Sequence, residues 1–331
     1  MPSSSSKPQG FYSSAFWEDY LATQHSKLPE LGHVSEHCGS KRVVRFLGGN
    51  PGHMQLQGTN TYLVGTGRIR ILIDTGEGRA SWIINLTGYL DDHDISISHV
   101  LLTHRHGDHT GGLADLLLRD PDVLVHKNEP EGDGQRPIRD GQRFSVEGAT
   151  LRAVLTPGHS SDHACFVLEE DGALFTGDAV LGHGYSVAED LGAYTASLAR
   201  MRALGCGGPG YPGHGEWIKN LPRVLDMYVA QRRARERRIC AVLADAAAAA
   251  AVGHHQGVAT AAAMGGGNGG LTVEDVGVRI YGEAARSPGA FDAALRPLLD
   301  QVLHMLADHG KVGSRLVGSG QTRHWFVTPG M

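Results

Sequence analysis

Within T-H-R-H-G-D-H, Thr103 to His109, two imidazoles stand two residues apart and are followed by a carboxylate and a third imidazole: His104, His106, Asp108 and His109. Imidazole nitrogens and a carboxylate are donors suited to zinc and its neighbours, and a short loop, unlike a helix or strand, can turn all four into one cavity. A polar, His-rich surface loop is the bland alternative, and it is the commoner setting for an arbitrary histidine pair; the ordered combination weighs against it. One segment cannot complete two coordination spheres, so further donors must come from later loops. His159 in T-P-G-H-S, Asp178 in F-T-G-D and His214 in Y-P-G-H-G supply them. Each is a ligand-type side chain at a strand end beside glycine, where backbone can approach an ion and loops converge. Singly, each reads as a cap, a turn residue or a surface group; jointly they read as a ligand set.

Such a set needs a scaffold that brings separated loops together. Arg42 to Leu47, Thr61 to Val64 and Arg70 to Ile73 are short, aliphatic or β-branched, and divided by Gly-containing breaks, which predicts strands of one sheet. Ser81 to Leu90 predicts a helix, and Ile97 to Leu102 a buried strand that ends in the histidine segment. A helix from Gly112 to Leu118 precedes strands at Val123 to His126, Thr150 to Thr156, Ala164 to Leu168 and Ala173 to Thr176, with a further helix at Tyr194 to Leu204. Alternation of this kind indicates layered α/β architecture with helices outside the sheets.

The ends of the chain differ from this middle. Residues 1–15 form a Ser- and Pro-rich tail expected to be disordered, and Phe16 to Leu28 has helical spacing up to Pro29. From Leu221 a long helical pattern leads into a Gly/Ala-rich stretch, 246–270, expected as a loop. Thr272 and Asp275 stand in capping-box register, an amphipathic stretch covers Ala290 to Leu306, and β-like runs surround Leu316 and Trp325. Two helices and a terminal hairpin suggest a winged-helix-like subdomain over 221–331, after a catalytic domain over 16–220.

Composition narrows the function classes. With 331 residues the chain can bury a large core, and a net charge of −5 provides no global field toward nucleic acid or an anionic membrane. An apolar run of about 18 or more residues is absent, so no membrane anchor is expected and a cytoplasmic location is the default. Cys38, Cys165, Cys206 and Cys240 are scattered without a C-x-x-C pair, which suggests reduced thiols and no thiolate zinc site. A G-x-S-x-G elbow and a P-loop are also missing, and the glycine-rich Gly265 to Gly270 has the wrong context for a dinucleotide-binding loop and reads as a linker.

The ordered series Asp74, His104 to His109, His159, Asp178 and His214 resembles that of the metallo-β-lactamase superfamily over about Arg42 to Gly215. The resemblance implies an αββα sandwich of two mixed sheets with outer helices, and a centre with two Zn2+ ions, for which Mn2+ or Fe could substitute. It implies that His104, His106 and His159 hold one ion, that Asp108, His109 and His214 hold the other, and that Asp178 bridges them. Asp74 in L-I-D-T-G would support the ligands from behind, although an ordinary turn Asp before Gly76 is the alternative. Where lactamases of the antibiotic-resistance type commonly place a Cys, this chain has Asp178, as glyoxalase-II-like and nuclease-like members do. Water between two dications can ionise near pH 7 and serve as nucleophile, with Asp108 orienting it or accepting its proton.

Finer resemblance lies in G-G-N-P-G at Gly48 to Gly52, L-Q-G-T-N-T-Y-L-V-G-T-G at Leu56 to Gly67, I-D-T-G-E-G at Ile73 to Gly78 and G-H-S-S-D-H at Gly158 to His163. These runs are similar to fungal acyl-carrier-protein thioesterases of the atrochrysone carboxyl type, and to the β-lactamase-like endoribonuclease branch. The first resemblance also takes in the leading helix and Trp325 to Val327. It implies a thioesterase that releases a polyketide from the acyl carrier protein of a polyketide synthase in trans, acting on a thioester, with a homodimer left open. Asn60, Thr61, His163 and His183 would line the site mouth, and a turn or core role is equally available to each. A single-strand endoribonuclease is the rival reading. A nucleic-acid-binding or assembly module with a vestigial metal site is a third, opposed by the intact ligand set. The cluster Arg232, Arg233, Arg235, Arg237 and Arg238 reads first as a solvated helix face and second as a docking surface for an acidic carrier or for RNA.

Overall fold

In the computed structural model the described residues are 28–36, 38–52, 54–132, 134–184, 186–256, 270–282, 291, 295–318 and 322–328. The tail at 1–15 and all but the last residue of the leading helix expected from Phe16 lie outside them. The chain divides into two compact units between Ala230 and Gln231, inside one long helix.

Two sheets form the first unit. Seven strands pair in chain order: β1 (Val34–Glu36), β2 (Val43–Leu47), β3 (Asn60–Val64), β4 (Ile69–Ile73), β5 (Ser96–Leu101), β6 (Leu124–Lys127) and β7 (Gln135–Pro137). They are antiparallel up to β4 and parallel from β4 to β7, a mixed sheet. Five more strands, β8 (Arg143–Val146), β9 (Ala149–Leu155), β10 (Ala164–Leu168), β11 (Ala173–Gly177) and β12 (Gly210–Pro212), form the second sheet in the order β12-β11-β10-β9-β8. Only the β11–β12 pair in it is parallel.

The two-residue period of a strand explains how one sheet serves two cores. Val43, Tyr62, Val64, Ile71, Ile73 and Leu101 point toward the second sheet and pack with Leu151, Ala153, Phe166 and Phe175. Their neighbours Val44, Leu63, Leu72 and Val100 point the other way and meet Trp82, Leu86 and Leu90 of α1 (Ala80–Asp92). Strands buried on both faces read as apolar runs, as Ile-Leu-Ile does here, and Val-Val-Arg-Phe-Leu departs from this only at buried Arg45. Helix α2 (Gly107–Thr110) is a single turn, and α3 (Leu113–Arg119) adds Leu116 to the outer core. Helix α4 (Leu191–Ala203) covers the second sheet from outside, where Met201 meets Cys165 at 3.6 Å. The αββα arrangement expected from the sequence is the one observed.

In the second unit, helix α5 (Leu221–Gln256) continues through the alanine tract. The expected loop at 246–270 is therefore corrected for 246–256: alanine loses no side-chain entropy in a helix, so a run of it prolongs one. Residues 257–269 lie outside the described set. Helix α6 (Val273–Tyr281) opens with the Thr272–Asp275 capping box, and α7 (Arg296–Asp308) buries Leu299, Val302, Leu303 and Leu306. The hairpin β13 (Val312–Val317) and β14 (Thr322–Val327) follows. Among the described residues, no helix is long and apolar enough to cross a membrane.

Candidate metal centre

The site gathers residues that leave strands of both sheets. Asp74 follows β4; the histidine segment follows β5 and breaks into the α2 turn, which carries Asp108 and His109. His159, Asp178 and His214 lie just beyond β9, β11 and β12. Glycine makes the close approach possible at two of these places. A Cβ on Gly213 would lie 2.2 Å from Asp178 Oδ1, and Gly177, at φ +46°, would put one 2.7 Å from His163 Nε2.

Three groups of side chains each place one donor atom per residue within 4.8 Å of the others: His104, His106 and His159; His104, His109 and Asp178; and Asp108, His109 and His214. All seven residues expected as metal ligands are therefore in one cluster. In the first group His106 Nδ1 is 2.9 Å from His104 Nε2 and 3.1 Å from His159 Nε2. In the last, His214 Nε2 is 3.3 Å from Asp108 Oδ2, and His109 Nε2 is 3.5 Å from the same oxygen. Asp178 touches both sides: Oδ2 lies 3.1 Å from His214 Nε2 and 3.6 Å from His159 Nε2, and Oδ1 lies 3.4 Å from His109 Nε2.

Electrostatics fit a cation-binding centre. Against burial, which disfavours the charged ring, the Asp178 and Asp74 carboxylates hold His109 well above the usual imidazole range, and Asp178 and Asp108 push His214 up to about 9. Burial also opposes the ionised acids, yet His214 and His109 hold Asp178 well below the carboxylate range and bring Asp108 to about 2. Burial takes His104 well below the usual value, aided by His109. The carboxylates thus call for positive charge among rings of which His104 and His159 are held below the usual imidazole range by burial. His109 Nε2 and Asp178 Oδ1 are buried without a hydrogen-bond partner. Buried polar atoms are normally satisfied, so inward-facing donors left open in this way suit a metal ion.

The outward nitrogens are fixed by protein groups. Asp74, at φ +59°, accepts hydrogen bonds from Thr103 N–H and Thr103 Oγ1, each at 2.8 Å, and from His109 Nδ1 at 2.8 Å. Thr103 Oγ1 donates to Asp74, so it accepts from His104 Nδ1 at 2.9 Å, and His159 Nδ1 donates to the Val187 carbonyl at 3.0 Å. These bonds leave Nε2 of His104, His109 and His159 facing inward.

The four residues expected at the site mouth lie in different places. His163 is fully buried. Its Nε2 accepts from Asp178 N–H at 3.2 Å, which assigns the ring proton to Nδ1, the donor to Thr156 Oγ1 at 2.8 Å. Burial, with His159 adding to it, lowers His163 to about 3, so a neutral ring anchors the Asp178 backbone. Asn60 is corrected from mouth to interior: its amide donates to the carbonyls of Pro212 and Gly215, at 3.0 and 2.8 Å, and ties down the His214 loop. Thr61 is likewise corrected. Strand alternation turns it to the helix layer, where Oγ1 donates to the Phe46 carbonyl and accepts from Trp82 Nε1. His183 is half-buried, with its backbone N–H 3.1 Å from the place a Cβ on Gly215 would take, beside His214.

Several contributors escaped the sequence reading. Thr59 Oγ1 donates to Asp108 Oδ2 at 3.0 Å and is itself held by Asn50, whose Oδ1 accepts from Thr59 N–H and whose Nδ2 donates to Thr59 Oγ1. The G-G-N-P-G and G-T-N runs contain these residues, but a contact across nine residues of loop has no periodic signature. Thr59→Val should weaken metal retention about tenfold by freeing Asp108, with Thr59→Ser restoring it; chelator competition measures both.

The description "Metallo-beta-lactamase superfamily" belongs to the family model that matches residues 54–225. Thioesterase pkgB of Emericella nidulans is 54% identical over 321 residues, covering 91% of this chain and 93% of that protein. Lactamase-like protein nscB of Arthroderma gypseum is 50% identical over 318 residues, covering 96% of each. Among solved structures, a beta-lactamase domain protein from Burkholderia ambifaria aligns with a TM-score of 0.68 at 17% identity, covering 91% of this chain and 95% of that one. The matched segment takes in the whole clustered set of donors together with the strands β3 to β12 that position them, and the chain belongs to the metallo-beta-lactamase superfamily.

Proposed function

We propose that the chain is a dinuclear metal hydrolase that releases a polyketide acyl group from an acyl carrier protein by cleaving its thioester. The observation that carries the metal part is Asp178, whose Oδ2 lies between His159 of one triad and His214 of the other while Oδ1 faces His109, with His109 Nε2 and Asp178 Oδ1 both open. His104, His106 and His159 would hold one ion, Asp108, His109 and His214 the other, and Asp178 both. Zinc suits the nitrogen-rich set, and Mn2+ or Fe would fit the same donors. When bound, the ions supply ionised water at neutral pH and polarise the acyl carbonyl.

The chain's own residues do the rest. Asp108, kept ionised and steadied by Thr59, stands ready to orient the attacking water and take its proton. Asp74, Thr103 and Val187 hold the imidazole tautomers, and His163 holds Asp178. No Ser or Cys nucleophile is required, because a thiolate leaves readily.

The substrate class rests on the fungal thioesterase-like motifs and on the name of the similar thioesterase pkgB. Arg233, Arg237 and Arg238 are exposed on α5 and share no ion pair among the described contacts, which suits an acidic carrier domain. Purified protein should free acid from an acyl-carrier thioester and leave single-stranded RNA intact; RNA cleavage without thioester hydrolysis would reverse the assignment. Reversing the three arginines together (R233E/R237E/R238E) should raise KM for the carrier-bound substrate roughly tenfold and steepen no salt dependence, while a short pantetheine thioester turns over as before. An unchanged KM would remove the arginines from docking.

A further inference from the structure

The outer nitrogens of His104, His109 and His159 are held by the groups described above, whereas His214 Nδ1 is buried without a hydrogen-bond partner. His106 differs because its inner atom is Nδ1, so the nitrogen to be fixed is Nε2. Facing it is Glu189, whose Oε1 lies 3.7 Å away, beyond a hydrogen bond but within ion-pair reach. That carboxylate is strongly held. Arg105 Nη2 donates to both of its oxygens, at 2.6 and 2.7 Å, while Nη1 donates to Ser161 Oγ at 3.1 Å and lies 3.5 Å from Asp162 Oδ1. Asp162 is fully buried, accepts from Ser160 Oγ at 2.7 Å and pairs with buried Lys127 at 3.0 Å.

The backbone around Glu189 is pinned to the same part of the site. Glu189 N–H donates to the Gly158 carbonyl at 2.8 Å, and two residues earlier the Val187 carbonyl takes the His159 proton. The segment from Val187 to Glu189 therefore addresses the outer faces of two rings of one triad, His159 and His106, while Lys127, Asp162, Arg105 and Glu189 alternate in charge along a chain that ends at His106.

We propose that Glu189, braced by Arg105, is a positioning residue for the centre: it keeps the His106 proton on Nε2 so that the Nδ1 lone pair faces the ion shared with His104 and His159. This rests on the metal reading above. An ordinary half-exposed ion pair would contribute little to anything; a brace acts on one ion and leaves the other alone, and that asymmetry is its signature.

Metal-stripped wild type, E189A, E189Q and R105A are titrated with Zn2+ against a chromophoric chelator, and with Co2+ followed by its visible absorption. Wild type is expected to take two equivalents. E189A and R105A should weaken one equivalent by about 10- to 100-fold, leave the other within about twofold, and alter the Co2+ bands of the weakened site. In E189Q the amide oxygen still accepts a proton, so it should fall between. Should either alanine variant fold poorly, E189Q and R105K preserve bulk and carry the same comparison. Two equivalents of unchanged affinity in the folded variants would overturn the brace, whereas a wild type that takes up no metal would sink the metal reading itself.

Discussion

Asp178→Asn should lose at least one equivalent of metal and lower thioester turnover by about 10^3-fold, or roughly 4 kcal/mol. The asparagine fills the same space but brings one neutral oxygen where two charged ones stood, and its NH2 would face ring nitrogens. Both halves of the centre suffer, because Asp178 approaches His159 on one side and His109 and His214 on the other. Its negative charge also supports the raised affinity of His109 and His214 for positive charge. Metal analysis of the dialysed protein beside kcat/KM checks the expectation, and retention of both ions with turnover within tenfold of wild type would remove Asp178 from its bridging place.

Asp74→Ala should destabilise the metal-free protein by about 3–5 kcal/mol, because Thr103 and His109 are left with three unmet donors deep in the fold. For a unit of this size that is a fall of roughly 10 °C in Tm. Metal affinity should fall as well, since the His109 and His104 tautomers both depend on this carboxylate. Asp74→Asn is the informative partner: it tolerates the left-handed backbone at φ +59° and keeps one acceptor, so its loss should be smaller. Calorimetry on stripped protein separates the two effects, and an alanine variant melting within about 2 °C of wild type would show that Asp74 carries no such load.

What the sequence discloses about this site follows from how locally each feature is encoded. His104, His106, Asp108 and His109 share one turn and announce themselves by spacing; His159, Asp178 and His214 are readable because each stands beside glycine after an apolar run. The layers were equally open, since buried strands such as Phe166 to Leu168 tolerate little but apolar residues. Short polar edges were not: β7 and β8 carry Gln135, Arg136 and Arg143, and gain their strand geometry from a neighbour's hydrogen bonds. Thr61 shows the same limit for side chains. Which face it occupies depends on strand register, and register is settled by the partner strands β2 and β4. Glu189 and Lys127 belong here too, because a brace assembled from four distant segments leaves no mark on any one of them.

The two sheets divide the donors in a way that bears on how the protein comes apart. The loop after β5 of the seven-stranded sheet contributes His104 and His106 to one triad and Asp108 and His109 to another, and loops of the five-stranded sheet complete them with His159 and His214. An ion seated in either triad is a rivet driven through both plates of the sandwich. Prying the plates apart would then mean shedding the rivets first, so exchange of the amides lining the shared interior should slow most when metal is added, and slow least on the outer rims.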